Sequence, residues 1–251
     1  MSVKDYETRL YVEENLSTGK SLVLKNDQSH YIRSVLRLKE NSQIALFNGE
    51  DGEWLSAIKT ITKRFVELEV VEQIRSQEVI SDIWLVFAPI KRNRIDYLAQ
   101  KATELGAGAL WPIFTKYTSV SRINMERLKS NSIEAAEQSG RLTVPKVLDP
   151  SDFDTLIEKW PRDRDLFCLD ETGKGAPILN AFRSSHLRAS GLLIGPEGGF
   201  AKEELDQVDP LRARARTSPL DGRLIEPPAP TEMARGLVVP PTNRGSLPSS
   251  V

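Results

Sequence analysis

The sequence predicts a two-domain α+β protein, a small N-terminal β-barrel followed by an α/β domain on a parallel sheet, with a C-terminal stretch that belongs to neither. Three observations lead there. Short strand-like runs with Asn48-Gly49 and Asp51-Gly52 turns fill the first seventy-odd residues, and longer apolar runs alternate with amphipathic helical patterns from about residue 80. Of the 15 prolines, eight fall within residues 210–251, where no sustained period of either kind remains.

The elements follow in order. Strands are expected at 9–13, 21–24, 43–47, 53–61 and 64–72, the last because Phe65-Val-Glu-Leu-Glu-Val-Val71 alternates apolar and polar residues. One helix interrupts them at 27–38, with Asn26 as its N-cap. At 100° per residue, Tyr31, Ile32, Val35 and Leu36 share one side of it, while His30, Arg33, Ser34 and Arg37 share the other. That outer side reads either as a solvated charged face or as a phosphate contact.

Further on, strands are expected at 82–89, 109–114, 165–170 and 190–194, and helices at 92–105, 124–139, 152–160 and 201–208. In the first of these helices Ile95, Leu98, Ala99, Ala102 and Leu105 form the buried stripe, Gly106 stands at the C-terminal cap, and Arg94 and Lys101 lie opposite. The divisions predicted are therefore 1–76, 77–209 and a disordered tail at 210–251.

Composition narrows the function. A length of 251 residues with 39% hydrophobic content gives room for a core, and a formal charge of −1 excludes a globally basic nucleic-acid coat. That average hides residues 91–146, which hold ten Lys or Arg against five acids. The single Cys168 excludes a disulfide framework, and with only His30 and His186 beside it a protein-built metal site is not expected. The polar N-terminal residues and the lack of a long apolar run predict a soluble cytoplasmic protein with no membrane partner.

The segment most suggestive of chemistry is Gly191-Leu-Leu-Ile-Gly-Pro-Glu-Gly-Gly-Phe200, an apolar strand running into a glycine-rich turn with a helix behind it. Ligands of open α/β sheets bind outside the carboxyl ends of strands, where glycine lets backbone approach closely. An ordinary strand-to-helix turn is the other reading, and a small-molecule nucleotide binder a third. The segment is neither a P-loop nor a dinucleotide fingerprint, since it lacks Gly-Lys-Ser/Thr and the Gly-x-Gly-x-x-Gly spacing.

The string Leu-Leu-Ile-Gly-Pro-Glu-Gly-Gly closely resembles a signature of the SPOUT superfamily of knotted methyltransferases, and within it the small-subunit ribosomal RNA methyltransferase E family. Tyr31-Ile-Arg-Ser-Val-Leu-Arg37, Gln100-Lys-Ala-Thr-Glu-Leu-Gly106 and Glu134-Ala-Ala-Glu-Gln-Ser-Gly-Arg141 followed by Val144-Pro145 stand in the matching order. The resemblance covers roughly residues 9–208. It implies a PUA-like β-barrel followed by a trefoil-knotted α/β domain, acting as a homodimer. The implied reaction is methyl transfer from S-adenosylmethionine to N3 of a uridine in 16S rRNA of the small ribosomal subunit.

By the same resemblance Ile194, Gly195, Pro196, Glu197, Gly198 and Gly199 form one wall of the cofactor site, and Leu169, Asp170 and Glu171 another. A cation beside the uridine would favour its deprotonated form, which makes Arg92, Arg94 and Arg141 candidates for catalysis or phosphate binding. Glu104 and Glu137 are carboxylates in matching motifs, either of which could act as a base, while a hydrogen-bonded structural cluster on the face shared by Glu134, Gln138 and Arg141 is the other reading. His30, Arg33, Arg37, Lys101 and Gln138 are the candidate RNA contacts.

One departure stands out. The family's last signature, a Leu-Gly turn, an Arg-x-Leu-Arg-type run and a helix with Thr and Glu, belongs within about ten to fifteen residues of Gln207, but Pro210-Leu-Arg-Ala-Arg-Ala-Arg216 stands there instead. Its loss coincides with the composition break, as a shifted reading frame would produce. A catalytically inactive RNA-binding remnant is therefore the alternative function.

Overall fold

The computed structural model describes residues 6–79, 82–169, 178, 180–181 and 189–208, apart from the side chains of residues 92 and 93. The 210–251 stretch and the segment around Asp170 and Glu171 lie outside the described residues.

The first sheet is built from β1 (Arg9–Tyr11), β2 (Ser21–Lys25), β3 (Gln43–Phe47), β4 (Glu53–Ile61) and β5 (Phe65–Arg75) in the order β1-β3-β4-β5-β2. β1 runs parallel to β3 and the other pairs are antiparallel. The Asn-Gly turn forms as its chemistry requires: the Asn48 Oδ1 atom accepts the N–H groups of Glu50 and Asp51, with Gly49 at φ +88°. Gly52, at φ +83°, admits no side chain, because a Cβ there would lie 2.3 Å from the Arg75 carbonyl oxygen.

Three irregularities in the β4–β5 register bend the pair. Leu10 from one edge strand and Leu22 and Leu24 from the other consequently meet Ile44, Leu46, Ile58, Val66 and Leu68 in one core. The sheet is curled, the PUA-like first half that was expected.

The helix expected at 27–38 differs. α1 spans Asn26–His30, starts after Lys25, and continues as a π-helical turn over Tyr31–Val35. Asn26 takes φ +49° and caps nothing. The wider turn keeps Ile32 buried but swings Val35 out to 57% exposure, so the expected apolar side is only partly realised.

The second sheet is parallel throughout: β6 (Ile83–Phe87), β7 (Ala109–Phe114), β8 (Lys146–Val147), β9 (Ser151–Asp152), β10 (Asp165–Leu169) and β11 (Ser190–Ile194). Its path is β10-β11-β6-β7-β8, with β9 on the far end of β7. β8 and β9 are only two residues each and were not expected from the sequence.

α2 (Arg92–Glu104) and α3 (Met125–Ser139) cover one face, where Ile95, Ala99, Ala102 and Leu128 pack on Phe87 and Leu110. α4 (Phe153–Lys159) and α5 (202–208) cover the other, where Phe153, Leu156 and Val208 pack on Val86, Trp111, Ile113 and Leu193. Neighbouring residues of one strand serve opposite cores, which is why these strands read as continuous apolar runs.

Asn124 caps α3 by accepting the Arg127 N–H at 2.9 Å, and Gly140 ends it at φ +75°. Gly106 ends α2 at φ +87°, but Leu105 is 82% exposed and does not belong to the buried stripe. The helix has already turned away from the sheet there, and the Gly106 N–H bonds back to the Thr103 carbonyl.

Candidate active site at the carboxyl edge of the parallel sheet

Because β6, β7, β10 and β11 are parallel, their carboxyl ends lie on one edge. The backbone N–H of Ala88, just past β6, donates to the carbonyl of Ile194 at 2.9 Å and ties two of these ends together. From β11 the chain enters Gly195-Pro-Glu-Gly-Gly199, where Gly199 takes φ +70° and its N–H returns to the Pro196 carbonyl at 3.0 Å.

Two of these glycines are required by close approaches. A Cβ on Gly195 would lie 2.8 Å from the Phe200 ring, and one on Gly198 would lie 3.3 Å from the Tyr117 Cβ. Beside the turn, Leu169 and Ile194 are register partners at the strand ends and remain 38% and 37% exposed. Two exposed apolar side chains thus lie next to a turn in which Gly195, Gly198 and Gly199 carry no side chain.

The turn is braced from behind. The buried Glu204 of α5 accepts the Ala201 N–H on one oxygen at 2.8 Å and the Lys116 N–H on the other at 2.7 Å. The first is the backward reach of a helix-capping carboxylate, and the second fixes the loop after β7.

Of the four candidate catalytic residues, only Arg94 is placed here, with its Nη1 3.4 Å from the Glu197 Oε1 in an exposed pair. The Arg92 side chain is outside the described residues. Arg141 and Glu104 stand at the opposite edge, where α2 returns to the start of β7. The Arg141 Nε and Nη2 donate to the Glu104 carbonyl at 2.9 and 2.8 Å, with the guanidinium against Gly106. Within one chain, then, the set does not converge. The Glu104 carboxylate pairs with Lys101 at 2.7 Å.

Glu137 also belongs to a junction: its Oε1 accepts the Tyr11 N–H at 3.0 Å. Burial pushes its pKa up, against the lowering effect of the Tyr11 hydrogen bond and of nearby Arg9.

The candidate RNA contacts divide in the same way. His30 and Arg37 are exposed, the latter at φ +56°. The Arg33 Nη1 is occupied by the carbonyls of Thr62 and Lys63. Gln138 lines a cavity of about 340 Å³ with Tyr97, Gln100, Asn131 and Glu134.

The basic stretch at 91–146 is partly neutralised by acids that no local window could include. Glu13 pairs with Lys129 at 2.8 Å, Glu197 with Arg94, and Glu203 with Lys116 at 3.5 Å, while Asp96 holds Arg127 at 2.6 Å. Among the described residues no group of His, Cys, Asp and Glu gathers as metal ligands, and no helix is long and apolar enough to cross a membrane.

Sequence reasoning missed Tyr117 and Glu204, both on the edge that carries the glycine turn. Glu204 was detectable as the third residue of a helix starting after Ala201. Tyr117 gave no signal.

Comparison with known proteins agrees with this layout. The family model for an RNA methyltransferase domain matches residues 77–217, and that for an RNA methyltransferase PUA domain matches residues 24–71. The ribosomal RNA small subunit methyltransferase E of Rickettsia conorii is 32% identical over 199 residues, covering 79% of this chain and 81% of the relative. That of Bacillus subtilis is 27% identical over 216 residues, covering 80% and 84%.

Among solved structures, the ribosomal RNA small subunit methyltransferase E of Neisseria gonorrhoeae bound to S-adenosyl methionine superimposes with a TM-score of 0.74 at 27% identity, over 82% of this chain and 86% of that one. A protein from Legionella pneumophila, solved in complex with the bound cofactor SAM, shares the fold with a TM-score of 0.68 at 24% identity over 81% of this chain and 86% of that one.

Proposed function

Since the chain belongs to the RNA methyltransferase family, we propose that it transfers the methyl group of S-adenosylmethionine to N3 of a uridine in the 16S rRNA of the small ribosomal subunit. The observation that carries this reading is the open carboxyl edge, where the glycine turn lies beside the exposed side chains of Leu169 and Ile194. An adenosyl group needs that combination, apolar surface for its ring and glycine backbone for close contact.

Ile194, Gly195, Pro196, Glu197, Gly198 and Gly199 then make one wall of the cofactor site. Leu169 makes part of another, which Asp170 and Glu171 would continue. When bound, the cofactor supplies an electrophilic methyl group. The chain's own task is to hold uridine N3 in line with it, and orientation of this kind supplies roughly 7–11 kcal/mol of barrier reduction. Arg94 is a cation at this edge that would favour the deprotonated uridine, and the N3 proton leaves to solvent. Arg141 and Glu104 are assigned to holding the far end of α2.

In this proposal residues 1–76 dock the RNA backbone, residues 77–209 form the transfer domain with an incomplete knot, and two chains act as a homodimer in the cytoplasm. RNA affinity should then fall steeply with salt. The second reading, RNA binding without transfer, draws on the absence of the family's last motif after Gln207.

One experiment separates the two. The protein is titrated with S-adenosylmethionine by calorimetry and then incubated with undermethylated small subunits, and the product is searched for N3-methyluridine. Heat and product support the first reading. Absence of both, with RNA binding retained, replaces it with the second.

A further inference from the structure

Tyr117 is 49% exposed at the same edge of the sheet, on a hydrogen-bonded turn. It sits at the tip of a turn closed by the Thr118 N–H on the Thr115 carbonyl at 3.1 Å and by the Thr118 Oγ1, which accepts the Thr115 N–H at 2.9 Å and meets its hydroxyl at 2.9 Å. Lys116, the other tip residue, is tied through its N–H to the buried Glu204. The root of the Tyr117 side chain lies over Gly198, where an added Cβ would stand 3.3 Å from the Tyr117 Cβ. Its ring has the Lys116 ammonium 5.8 Å away, and no hydrogen bond holds its hydroxyl among the described residues.

An exposed aromatic ring on a loop tip is ordinarily mobile and unspecific. This one rises from a turn whose backbone is braced on both sides, stands beside the candidate cofactor wall, and has a cation 5.8 Å from its centroid. We propose that Tyr117 is a stacking platform for an unpaired base of the RNA substrate, with Lys116 meeting the adjoining phosphate. The inference rests on the reading of this edge as the methyl-transfer site. Every base has a π-face, so such a platform binds single-stranded RNA and holds a base flat next to the glycine turn. Lys116, whose ammonium meets the exposed Glu203 at 3.5 Å, supplies a charge that RNA can claim.

The test uses the full chain and variants Tyr117→Ala, Tyr117→Leu and Tyr117→Phe, with thermal melting to confirm folding. Binding is measured by fluorescence anisotropy to a short uridine-rich single strand and to an abasic strand of equal length. Tyr117→Ala and Tyr117→Leu are expected to weaken binding of the uridine strand by roughly 5- to 150-fold. Tyr117→Phe should stay within about twofold, and the abasic strand should not distinguish the variants.

The platform is overturned if Tyr117→Ala binds the uridine strand like wild type, if Leu serves as well as Phe, or if the abasic strand loses as much. Failure of the functional reading shows elsewhere, as absence of cofactor heat and methyl transfer in the wild-type chain.

Discussion

Arg9 donates from Nη1 to the carbonyl oxygen of Ala136 at 2.8 Å, which joins the first strand of the curled sheet to the last turn of α3 on the parallel sheet. The same guanidinium reaches the carbonyls of Glu137 and Arg141, each at 2.9 Å, pairs through Nε with the buried Glu53, and lies 4.5 Å from the Phe47 ring centroid. Arg75 repeats the motif from β5, donating to the Gly140 carbonyl at 3.0 Å and approaching Glu53 at 3.5 Å. A helix C-terminus carries unpaired carbonyls and partial negative charge, so two arginines answer both needs at once.

Truncating Arg9 leaves Glu53 with one partner and strips three carbonyls. Arg9→Met should lower the unfolding free energy by about 3–5 kcal/mol. Arg9→Lys should recover little, because an ammonium cannot present the planar fork that four acceptors require. Urea denaturation measures both, and a Lys variant as stable as wild type would refute the account.

Gly191 lies in β11 against the indole of Trp160, where a Cβ would come within 2.2 Å of the ring. Trp160 stacks on Trp111 with centroids 6.3 Å apart and meets Trp84 edge-on at 6.0 Å. Gly191→Ala should therefore cost about 1–3 kcal/mol by overpacking and change the near-ultraviolet circular dichroism of the tryptophans. An unchanged melting temperature would mean that the cluster yields more easily than its packing implies.

Glu204 uses both of its oxygens, one for Ala201 and one for Lys116. Glu204→Gln offers one acceptor and turns an amide N–H₂ toward the second donor, so one backbone N–H is left unpaired, at about 1–3 kcal/mol. The loop carrying Tyr117 and the start of α5 should loosen together. Hydrogen exchange at Lys116 and Ala201 measures this, and unchanged protection at both would reject the bracing role.

Much of the fold was legible because its signals are local. Asn48-Gly49 and Gly106 each fix a boundary through their own chemistry, and the alternation in β5 names its buried side. What escaped has non-local causes. Arg9 sits in the sequence like any strand-end charge, and only Glu53 and the end of α3, 44 and 127 residues away, make it a buried junction. Two-residue strands such as β8 carry no period, and the π-helical turn after His30 has no pattern that distinguishes it from an α-helix. For the site, the glycine turn was readable as a string, whereas the separation of Arg94 from Arg141 depends on which edge each helix end reaches.

Glu137 provides the pH-dependent prediction. Burial raises its folded-state pKa above the unfolded value, so its favourable contribution is complete below the unfolded pKa and is lost as pH rises through the folded one. Above the folded-state pKa the ionised carboxylate is therefore a cost, although its Oε1 still accepts the Tyr11 N–H. Glu137→Gln keeps a carbonyl acceptor for that N–H and removes the charge. The variant should melt above wild type at pH 7 to 8, and the gap should close as the pH falls into the carboxylate range and the wild-type side chain becomes protonated. Paired thermal melts across that range measure the difference. A gap that widens on acidification would mean that attraction to Arg9 outweighs burial and that the ionised form stabilises the junction.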